Sequence, residues 1–176
     1  MNQEISIAKA EPNDAEDLSR IKQCIWLNTY QNKEFGITAE DIFAKDFLCK
    51  ERISKRAEHM SVVDGINYTL VAKVGPQIVG YGRAFKSKKI NEIVTLYVIP
   101  KRQGQGIGSA LLKDLLRWLG DHKAVRLGVV LYNEKAIRFY EKFGFKAGNL
   151  VCHDKPTFPS GRDLPELEMI REVTRK

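Results

Sequence analysis

The sequence predicts a single mixed α/β domain, residues 1–176, whose elements follow the order β-α-α-β-β-β-α-β-α-β-β. Its composition supports one globular domain, because 43% of the 176 residues are hydrophobic and 29% are charged, and a chain of this length can bury a sizeable core. Two strand-like runs joined by a short turn indicate an antiparallel hairpin. Strand and helix patterns alternate only in the second half, which separates the chain from a doubly wound fold.

The N-terminal region is expected to contain a short strand and a helix. Residues 6–10 (SIAKA) are typical of a strand. Asn13, followed by Glu16 three residues later, matches the capping-box pattern of a helix N-terminus. Apolar residues then recur with a helical period to about Tyr30. The sequence therefore predicts a first helix that begins after Asn13 and ends near Tyr30.

A second helical region and a hairpin follow. Thr38 with Asp41 three residues later repeats the N-cap pattern, so a second helix, which can be broken into pieces, is expected to reach about His59. The pattern then changes to strand-like runs. NYTLVAKV and QIVGYGRAF, within residues 67–85, are joined by a Gly-Pro turn and predict two antiparallel strands.

The second half predicts a strand, an amphipathic helix, a buried strand, a short helix and two further strands, at residues 90–100, 109–122, 124–132, 133–145, 145–152 and 166–173. The first of these strands is almost wholly β-branched or apolar. Such a composition is typical of a central strand that is covered on both faces. The short helix is expected to end at Gly144.

The net charge of +7 attracts polyanions such as nucleic acid, acidic membranes or multiply phosphorylated small molecules. The basic clusters at 50–56 and 86–89 have no interleaved aromatic residues, so no nucleic-acid partner is expected. No apolar run approaches the ~20 residues of a membrane span, and the N-terminus lacks the features of a secretory signal. We therefore expect a cytoplasmic protein with neither a membrane nor a nucleic-acid partner.

The cysteines are odd in number and far apart in the sequence, at positions 24, 49 and 152. They form no CxxC pair and no metal-like spacing with His59, His122 or His153. They are interpreted as free thiols in a reducing compartment. No metal site is predicted.

A glycine-rich stretch, VIPKRQGQGIGSALL, lies between a predicted strand and a predicted helix. It lacks the Lys-Ser or Lys-Thr pair of a Walker loop, and Ser109 stands where a Rossmann fingerprint needs its third glycine. The remaining interpretation is a loop whose backbone N–H groups point into a concavity at a helix N-terminus, where the dipole favours an anion. Gly104, Gly106 and Gly108 would let a pyrophosphate approach those amides.

The pattern Gln103-x-x-Gly106-x-Gly108 resembles the acetyl-CoA loop of the GNAT superfamily of N-acetyltransferases, of the bacterial small-molecule type. LYVIP at 96–100 resembles the pantetheine-binding strand of that family, and NEKAIRFYEKFGF at 133–145 resembles its second signature. The resemblance implies the GNAT fold, a central twisted mixed sheet of about seven strands flanked by helices. It also implies an enzyme that uses acetyl-CoA as cosubstrate and no metal.

The same resemblance implies the residues that bind coenzyme A. The Leu96 amide would face the acetyl carbonyl, and Tyr97 and Val98 would pair with the pantetheine arm. The full cofactor-binding set is Leu96, Tyr97, Val98, Gln103, Gly104, Gln105, Gly106, Ile107, Gly108, Ser109, Asn133 and Lys142. Asn133 can also cap a helix, and further basic residues that could meet the phosphates are Lys101, Arg102 and Arg138.

Two residues are predicted to be catalytic. Tyr140 aligns with the tyrosine that protonates the departing thiolate in many relatives; its alternative role is that of a core aromatic. Glu92 lies four residues before Leu96, on the same strand face by a period of two, and some family members place a general base there. The alternative for Glu92 is a strand-edge carboxylate in solvent or paired with a lysine of the 86–89 cluster.

The acceptor is expected to be a primary amine of a small molecule, with polyamines among the candidates. By resemblance, the first helix–loop–helix and the late strands build its site, with Trp26, Tyr30 and Phe35 as substrate residues and Glu34, Glu40 and Asp41 as nearby carboxylates. A core role for Trp26 and Tyr30 is the alternative. Two other functions stay open: a protein or peptide N-acetyltransferase, and a non-catalytic CoA-binding regulatory domain. A homodimer is also compatible with the sequence.

Overall fold

The structure is a computed structural model that describes residues 4–151 and 153–173. Its strands are β1 (Ile5–Lys9), β2 (Asn67–Val74), β3 (Gln77–Phe85), β4 (Asn91–Val98), β5 (Val125–Val130), β6 (Lys146–Leu150) and β7 (Glu166–Arg171). Its helices are α1 (Ala15–Thr29), α2 (Ala39–Phe43), α3 (Lys50–Ser61), α4 (Ile107–Leu119) and α5 (Glu134–Glu141). This order confirms the predicted one. The last predicted residue of β6, Cys152, lies outside the described residues.

The described strands form one sheet in the order β1-β2-β3-β4-β5-β7-β6. All neighbouring pairs are antiparallel except β4 and β5, which run parallel. The parallel pair is made possible by α4, which connects β4 to β5 as a crossover helix. The sheet is therefore mixed, and its one parallel junction lies at its centre.

Helices cover both faces of this sheet. On one face, α4 packs against β2, β3 and β4 and buries Leu111, Leu112 and Leu115 completely, which confirms the predicted apolar stripe. On the other face, Leu18 and Ile21 of α1 join Tyr81 of β3 and the partly buried side chains of α3 in a second apolar cluster. The two layers hold the centre of the sheet in place from both sides.

The start of the first helix differs from the prediction. The capping box is formed by Glu11 and Asp14, and the Asp14 carboxylate accepts the Glu11 backbone N–H at 2.9 Å. Asn13 lies inside a 3-10 turn, Pro12–Asp14, that precedes α1, so the predicted pair Asn13 and Glu16 is wrong. The cause is Pro12, whose fixed φ and missing N–H favour the first helical position and move the cap to the residue before it.

The second predicted cap is confirmed. The Thr38 side chain accepts the Asp41 backbone N–H, and the Asp41 carboxylate accepts the Thr38 N–H at 3.0 Å. The same carboxylate, which is buried, accepts hydrogen bonds from Ser160 and from Arg162. Its pKa is lowered to about 2, chiefly by the Ser160 hydrogen bond and the Thr38 amide. Asp41 thus fastens α2 to the connection between β6 and β7, and its carboxylate is already occupied.

Strand β4 is central, as predicted, but it is covered on both faces only in part. It pairs with β5 over its first three residues, Asn91 to Ile93. Val94 is 41% exposed and is the extra residue of a β-bulge opposite β3, which bends the strand. Within the described ranges, every helix is too short or too polar to traverse a lipid bilayer.

We predict that Asp41→Asn lowers the free energy of unfolding at pH 7 by about 1–2 kcal/mol, because a cap and a buried charged contact are lost. The folded-state pKa lies below the unfolded value, so ionised Asp41 stabilises the fold above the unfolded pKa of about 3.9. That stabilisation disappears as the pH falls through about 2. Urea titrations at pH 7 and pH 3 should show a smaller difference at the lower pH.

The control is Glu40→Gln, since Glu40 is an exposed acid of the same first turn without the contacts to Ser160 and Arg162. A loss of stability in Glu40→Gln equal to that in Asp41→Asn would contradict the assignment of the effect to the clamp between α2 and the connection.

Candidate active site

A cleft opens where β4 and β5 separate. The two strands pair only as far as Ile93 and Leu127, and beyond that pair they enclose a cavity of about 860 Å³. Of the predicted site residues, those that line it are Leu96, Tyr97, Val98, Gln103, Gly104, Gly106, Gly108, Ser109, Asn133, Lys142, Tyr140 and Tyr30. One cleft thus brings together most residues that the sequence places in a cofactor site.

The backbone of β4 presents unpaired groups to this cleft. Ile99 donates its N–H to the Val79 carbonyl of β3 at 2.9 Å. In an antiparallel ladder, hydrogen-bonded and non-hydrogen-bonded pairs alternate, so Tyr97 also bonds to β3, whereas Leu96 and Val98 direct their N–H groups to the other side. On that side β5 has already turned away. The Leu96 and Val98 amides therefore face the cleft.

This alternation corrects one predicted role. The Tyr97 backbone belongs to the ladder with β3, where its carbonyl oxygen would lie 2.7 Å from a Cβ added at Gly80. It is therefore not free to pair with a pantetheine arm. The Tyr97 side chain, however, lies within an aromatic group, because its hydroxyl accepts the Trp26 indole N–H at 3.0 Å and is 3.5 Å from the Tyr30 hydroxyl.

The glycine-rich loop closes one end of the cleft. Gly106 is the N-cap residue of α4 and has a φ of 81°, and Gly104 has a φ of 80°; both angles favour glycine. The Gln103 side chain donates to the Val98 carbonyl at 3.0 Å and holds the loop against the end of β4. The free N–H groups at the start of α4 and the adjoining Ser109 hydroxyl make this end suitable for an anion.

Two predicted loop residues do not line the cleft with their side chains. Ile107 is 1% exposed and belongs to the main apolar core. Gln105 donates its side-chain amide to the Lys101 carbonyl at 3.4 Å. Ile107 faces the core because it is the first residue of the apolar stripe of α4. The Ile107 position can therefore contribute only backbone groups to a bound ligand, and neither residue is among those that line the cleft.

Helix α5 supplies positive charge to the same end. Its N-cap is Asn133, whose side chain accepts the Ala136 N–H at 3.2 Å. Lys135, Arg138 and Lys142 all line the cleft, because residues three and four apart on a helix share one side. The Lys135 ammonium donates to the Gln103 side chain at 2.8 Å, which connects the helix to the glycine-rich loop.

Tyr140 lies deeper in the cleft than these charges. Its side chain is 8% exposed and packs against Phe139 and Phe145. Burial raises the pKa of the phenol well above its usual value, and the neighbouring Tyr97 adds to the shift. Tyr140 therefore keeps its proton at neutral pH and can donate it to an anion that forms in the cleft.

Glu92 does not lie where the sequence places it. The β-bulge at Val94 inserts one residue into the alternation, so Ile93 and Leu96 both point to the α4 face and Glu92 points to the opposite one. Glu92 and Leu96 therefore lie on opposite faces, and the prediction that they share one by a period of two is wrong. The Glu92 carboxylate accepts two hydrogen bonds from Arg126, at 3.0 and 3.1 Å, and does not line the described cleft.

A second carboxylate, that of Glu166, does line the cleft. Glu166 is the first residue of β7 and lies opposite Val130 of β5. Its carboxylate is 3.1 Å from the His153 ring nitrogen Nε2. Burial raises the pKa of Glu166, while His153 opposes that shift. This pair combines a cleft-facing carboxylate of raised basicity with an adjoining imidazole.

The predicted substrate residues divide between the cleft and the core. Tyr30 lines the cleft. Trp26 is 8% exposed and packs with Phe47 and Phe158 in a third apolar cluster. It therefore lies in the core, which is the alternative that the sequence left open for it. Phe35 stacks on the ring of Tyr132, another cleft residue, with 5.4 Å between ring centroids. Tyr30 and Tyr132 thus line the cleft near the end of α1, whereas Trp26 and Phe35 pack behind them and do not line it.

No three His, Cys, Asp or Glu side chains in residues 4–151 and 153–173 are close enough to hold a metal ion. Cys24 and Cys49 are free thiols, and Cys152 lies outside the described residues.

The comparison with protein families agrees with this geometry. Residues 38–145 match the model of the acetyltransferase (GNAT) family. The chain belongs to the GNAT family. An uncharacterized N-acetyltransferase of Mycobacterium bovis is 38% identical over 80 residues, which are 44% of this chain and 51% of that protein. One of Archaeoglobus fulgidus is 33% identical over 86 residues, 44% of this chain and 56% of that protein. The chain thus spans about half the length of the curated relatives it matches.

Solved structures of the GNAT family share the whole fold. The PaiA N-acetyltransferase of Thermoplasma acidophilum, solved with coenzyme A, has a TM-score of 0.68 and 22% identity over 96% of this chain and 99% of that one. A GNAT acetyltransferase of Streptococcus pneumoniae has a TM-score of 0.69 and 21% identity over 97% and 100%. YncA of Salmonella typhimurium, solved with acetyl-CoA, has a TM-score of 0.67 and 19% identity over 98% and 95%.

Sequence reasoning missed two of the charged residues that line the cleft, Lys135 and Glu166. Lys135 lies three residues before Arg138 and seven before Lys142, which the sequence analysis names as phosphate-binding candidates. This helical spacing could have indicated that Lys135 shares their side of the helix. Glu166 had no comparable signal, because its place in the cleft depends on the pairing of β7 with β5. That pairing joins segments about 40 residues apart, and nothing in either segment specifies the other.

We predict that Asn133→Ala lowers stability by about 1 kcal/mol, because the first turn of α5 loses its side-chain cap. Asn133→Ser keeps a capping oxygen and should retain most of the wild-type stability. Thermal unfolding of the two variants measures the difference. Equal melting temperatures for them would show that the bond to Ala136 contributes nothing.

Proposed function

We propose that the protein transfers an acetyl group from acetyl-CoA directly to a primary amine of a small molecule. The observation that carries this proposal is the pair of β4 amides, those of Leu96 and Val98, which face a cleft that ends in a glycine-rich helix N-terminus. Unpaired strand amides can bond to the amide and thioester carbonyls of an extended arm, and the helix N-terminus can bond to phosphate. The two features are spaced along one continuous groove.

The residues present fit acetyl-CoA. The Val98 amide would bind a carbonyl of the pantetheine arm, the backbone of residues 104–109 would bind the pyrophosphate, and Lys135, Arg138 and Lys142 would neutralise phosphate charge. Nothing lies within 4 Å of a Cβ built on Gly104 or Gly106, so the space above the loop is open to a ligand. When bound, acetyl-CoA supplies the activated thioester.

The residues of this chain would then assist the transfer in three ways. The Leu96 amide polarises the acetyl carbonyl, and such a donor typically contributes about 3 kcal/mol. Tyr140, held in its protonated form by burial, gives its proton to the departing thiolate. Glu166, with its raised pKa and its bond to His153, is better placed than the ion-paired Glu92 to receive the proton of the acceptor amine.

Contacts between side chains on the acceptor side of the cleft favour a small acceptor. Phe35 stacks on Tyr132, and the Tyr132 hydroxyl donates to the Tyr30 carbonyl at 2.6 Å. The connection between β6 and β7 is fastened to α2 through Asp41. These contacts enclose the acceptor side of the cleft with side chains that are held in place. A peptide acceptor, in contrast, needs an open groove.

The first experiment measures thiol release from acetyl-CoA with separate panels of small amines and short peptides. Turnover confined to small amines is expected. Turnover confined to peptides would replace the proposal with a protein acetyltransferase. Tight binding of coenzyme A without turnover of any acceptor would leave a non-catalytic CoA-binding domain as the function.

We predict that Tyr140→Phe lowers kcat about 100-fold or more, since general acid catalysis typically contributes that much, while affinity for coenzyme A changes little. Glu166→Gln should lower kcat more than Glu92→Gln does. The control Tyr68→Phe removes a hydroxyl from a ring that stacks on Trp118, outside the cleft. A Tyr140→Phe enzyme as fast as Tyr68→Phe would remove Tyr140 from the mechanism.

We also predict that Gly106→Ala weakens coenzyme A binding, because a methyl group enters the anion-binding loop and strains its backbone. Gly75→Ala is the matched control: Gly75 also has a positive φ, 58°, and open space around it, but it lies in the turn between β2 and β3. Both changes should cost about 1 kcal/mol of stability. Calorimetry should detect weaker binding only in Gly106→Ala, and equal affinities would contradict the assignment of the loop.

A further inference from the structure

Five cationic side chains gather on the face of the sheet that carries α1 and α3. Lys22 belongs to α1, Arg52 and Arg56 to α3, Arg83 to β3, and Lys45 to the segment between α2 and α3. They are called the cationic cluster below. Arg56, Lys45, Arg52 and Arg83 all act electrostatically on Lys22, so the five charges share one region.

No carboxylate of the described residues forms an ion pair with any member of the cationic cluster. Lys45 donates to the Thr157 carbonyl, Arg56 to the Ser19 hydroxyl and Arg83 to the Asn67 side chain. All of these acceptors are neutral. Because positive charges that share one region repel one another, an anion bound among these side chains would stabilise the cluster.

Two carboxylates, those of Glu166 and Glu92, interact electrostatically with members of the cationic cluster, but each is hydrogen-bonded to a residue outside it. Lys22 acts on Glu166 and Glu92 acts on Arg83. Glu166, however, is bonded to His153, and Glu92 to Arg126. The positive charge of the cluster is therefore not neutralised by these two acids.

Two members of the cationic cluster, Lys22 and Arg52, have no hydrogen bond or ion pair to a described residue, and Lys22 is the one that packs against aromatic rings. Its ammonium lies 5.3 Å from the ring centroid of Trp26 and 4.9 Å from that of Phe47. No hydrogen bond or ion pair to another described residue engages it. Burial, followed by repulsion from Arg56 and Lys45, lowers the pKa of Lys22 to about 8. The aromatic rings stabilise the cation in part, but they leave its three N–H donors without an acceptor.

None of the five members of the cationic cluster lines the cleft, but Trp26 connects the cluster to it. Trp26, whose ring faces both Lys22 and Lys45, donates its indole N–H to Tyr97, and Tyr97 lines the cleft. Lys22 also influences Glu166, the cleft carboxylate proposed to receive the acceptor's proton. An acceptor whose amine approaches Glu166 would extend its other end towards the cluster.

From this arrangement we infer that the acceptor carries a carboxylate or phosphate group, which the cationic cluster binds through Lys22 while the amine faces the Leu96 amide and Glu166. The inference rests on the proposed acetyl transfer and specifies its substrate class. Carboxylate and phosphate share the charge-assisted bonding that Lys and Arg provide. A polyamine would place further positive charge beside five cations, so the cluster disfavours that acceptor.

The test compares amines that differ only in the anionic group. Phosphoethanolamine is assayed beside ethanolamine, β-alanine beside β-alaninamide, and spermidine serves as the cationic alternative. For at least one pair, kcat/KM should be higher for the anionic member by about tenfold or more, as expected for a hydrogen bond between charged groups. The pair that shows the preference distinguishes phosphate from carboxylate. Equal kcat/KM within both pairs, or a preference for spermidine, would overturn the inference.

Lys22→Met keeps the aliphatic stem and removes the charge. In this variant the preference for the anionic amine should fall to about one, mainly through a higher KM, because a single charge-assisted contact is lost. Lys113→Met, which removes an exposed charge from α4, is the control and should keep the preference. Equal preferences in the two variants would overturn the role of Lys22.

A binding measurement separates this inference from the proposed function. Protein saturated with coenzyme A is melted with phosphoethanolamine or β-alanine and, at equal ionic strength, with potassium chloride. One of the two anionic amines should raise the melting temperature above the chloride value in wild type but not in Lys22→Met. If neither does so, the inference fails even where another amine is acetylated. The proposed function itself fails if no small amine is acetylated.

Discussion

The separation of β4 from β5 is the constraint on which the rest of this structure depends. Pairing stops after Ile93 and Leu127, where the bulge at Val94 bends β4 away. Buried backbone amides almost always find partners in a folded protein. The Leu96 and Val98 amides instead point away from β3 into the cleft at the centre of the sheet, where solvent or a ligand can bond to them.

Such an opening requires rigid surroundings. The fully buried stripe of α4 supports the sheet from one side, and α1 with α3 supports it from the other. The aromatic cluster around Trp26 then holds the Tyr97 ring, and Asp41 fastens the β6–β7 connection to α2. Since packed interiors do not deform continuously, the amides, the glycine-rich loop and Tyr140 keep fixed relative positions without a substrate.

The sequence allowed the fold and most residues at the glycine-rich end of the cleft to be predicted, because their signals are local. Helical and strand periods, the Thr38 cap and the glycines before α4 each depend on a few neighbouring residues. The acceptor end depends on distant ones. A single bulge reversed the face of Glu92, and Glu166 reaches the cleft only because β7 pairs with β5. A local signal can also be overridden by a neighbouring residue. The Asn13 pattern predicts a cap at Asn13, but Pro12 places the cap at Glu11.

The charges also bear on how an acceptor amine loses its proton. An alkyl ammonium ordinarily has a pKa near 10.4, so a neutral amine is rare at pH 7 in water. Lys22 shows what this region does to such a group: burial and neighbouring cations lower its pKa to about 8. An acceptor ammonium at Glu166, a residue that Lys22 also influences, would be destabilised by the same positive charges, though less strongly than Lys22, and would pass its proton to Glu166. An anionic group on the acceptor would then supply the attraction that holds the molecule there, because the amine end is repelled while it is charged. Binding and deprotonation are thus favoured by the same charges acting on opposite ends of one molecule.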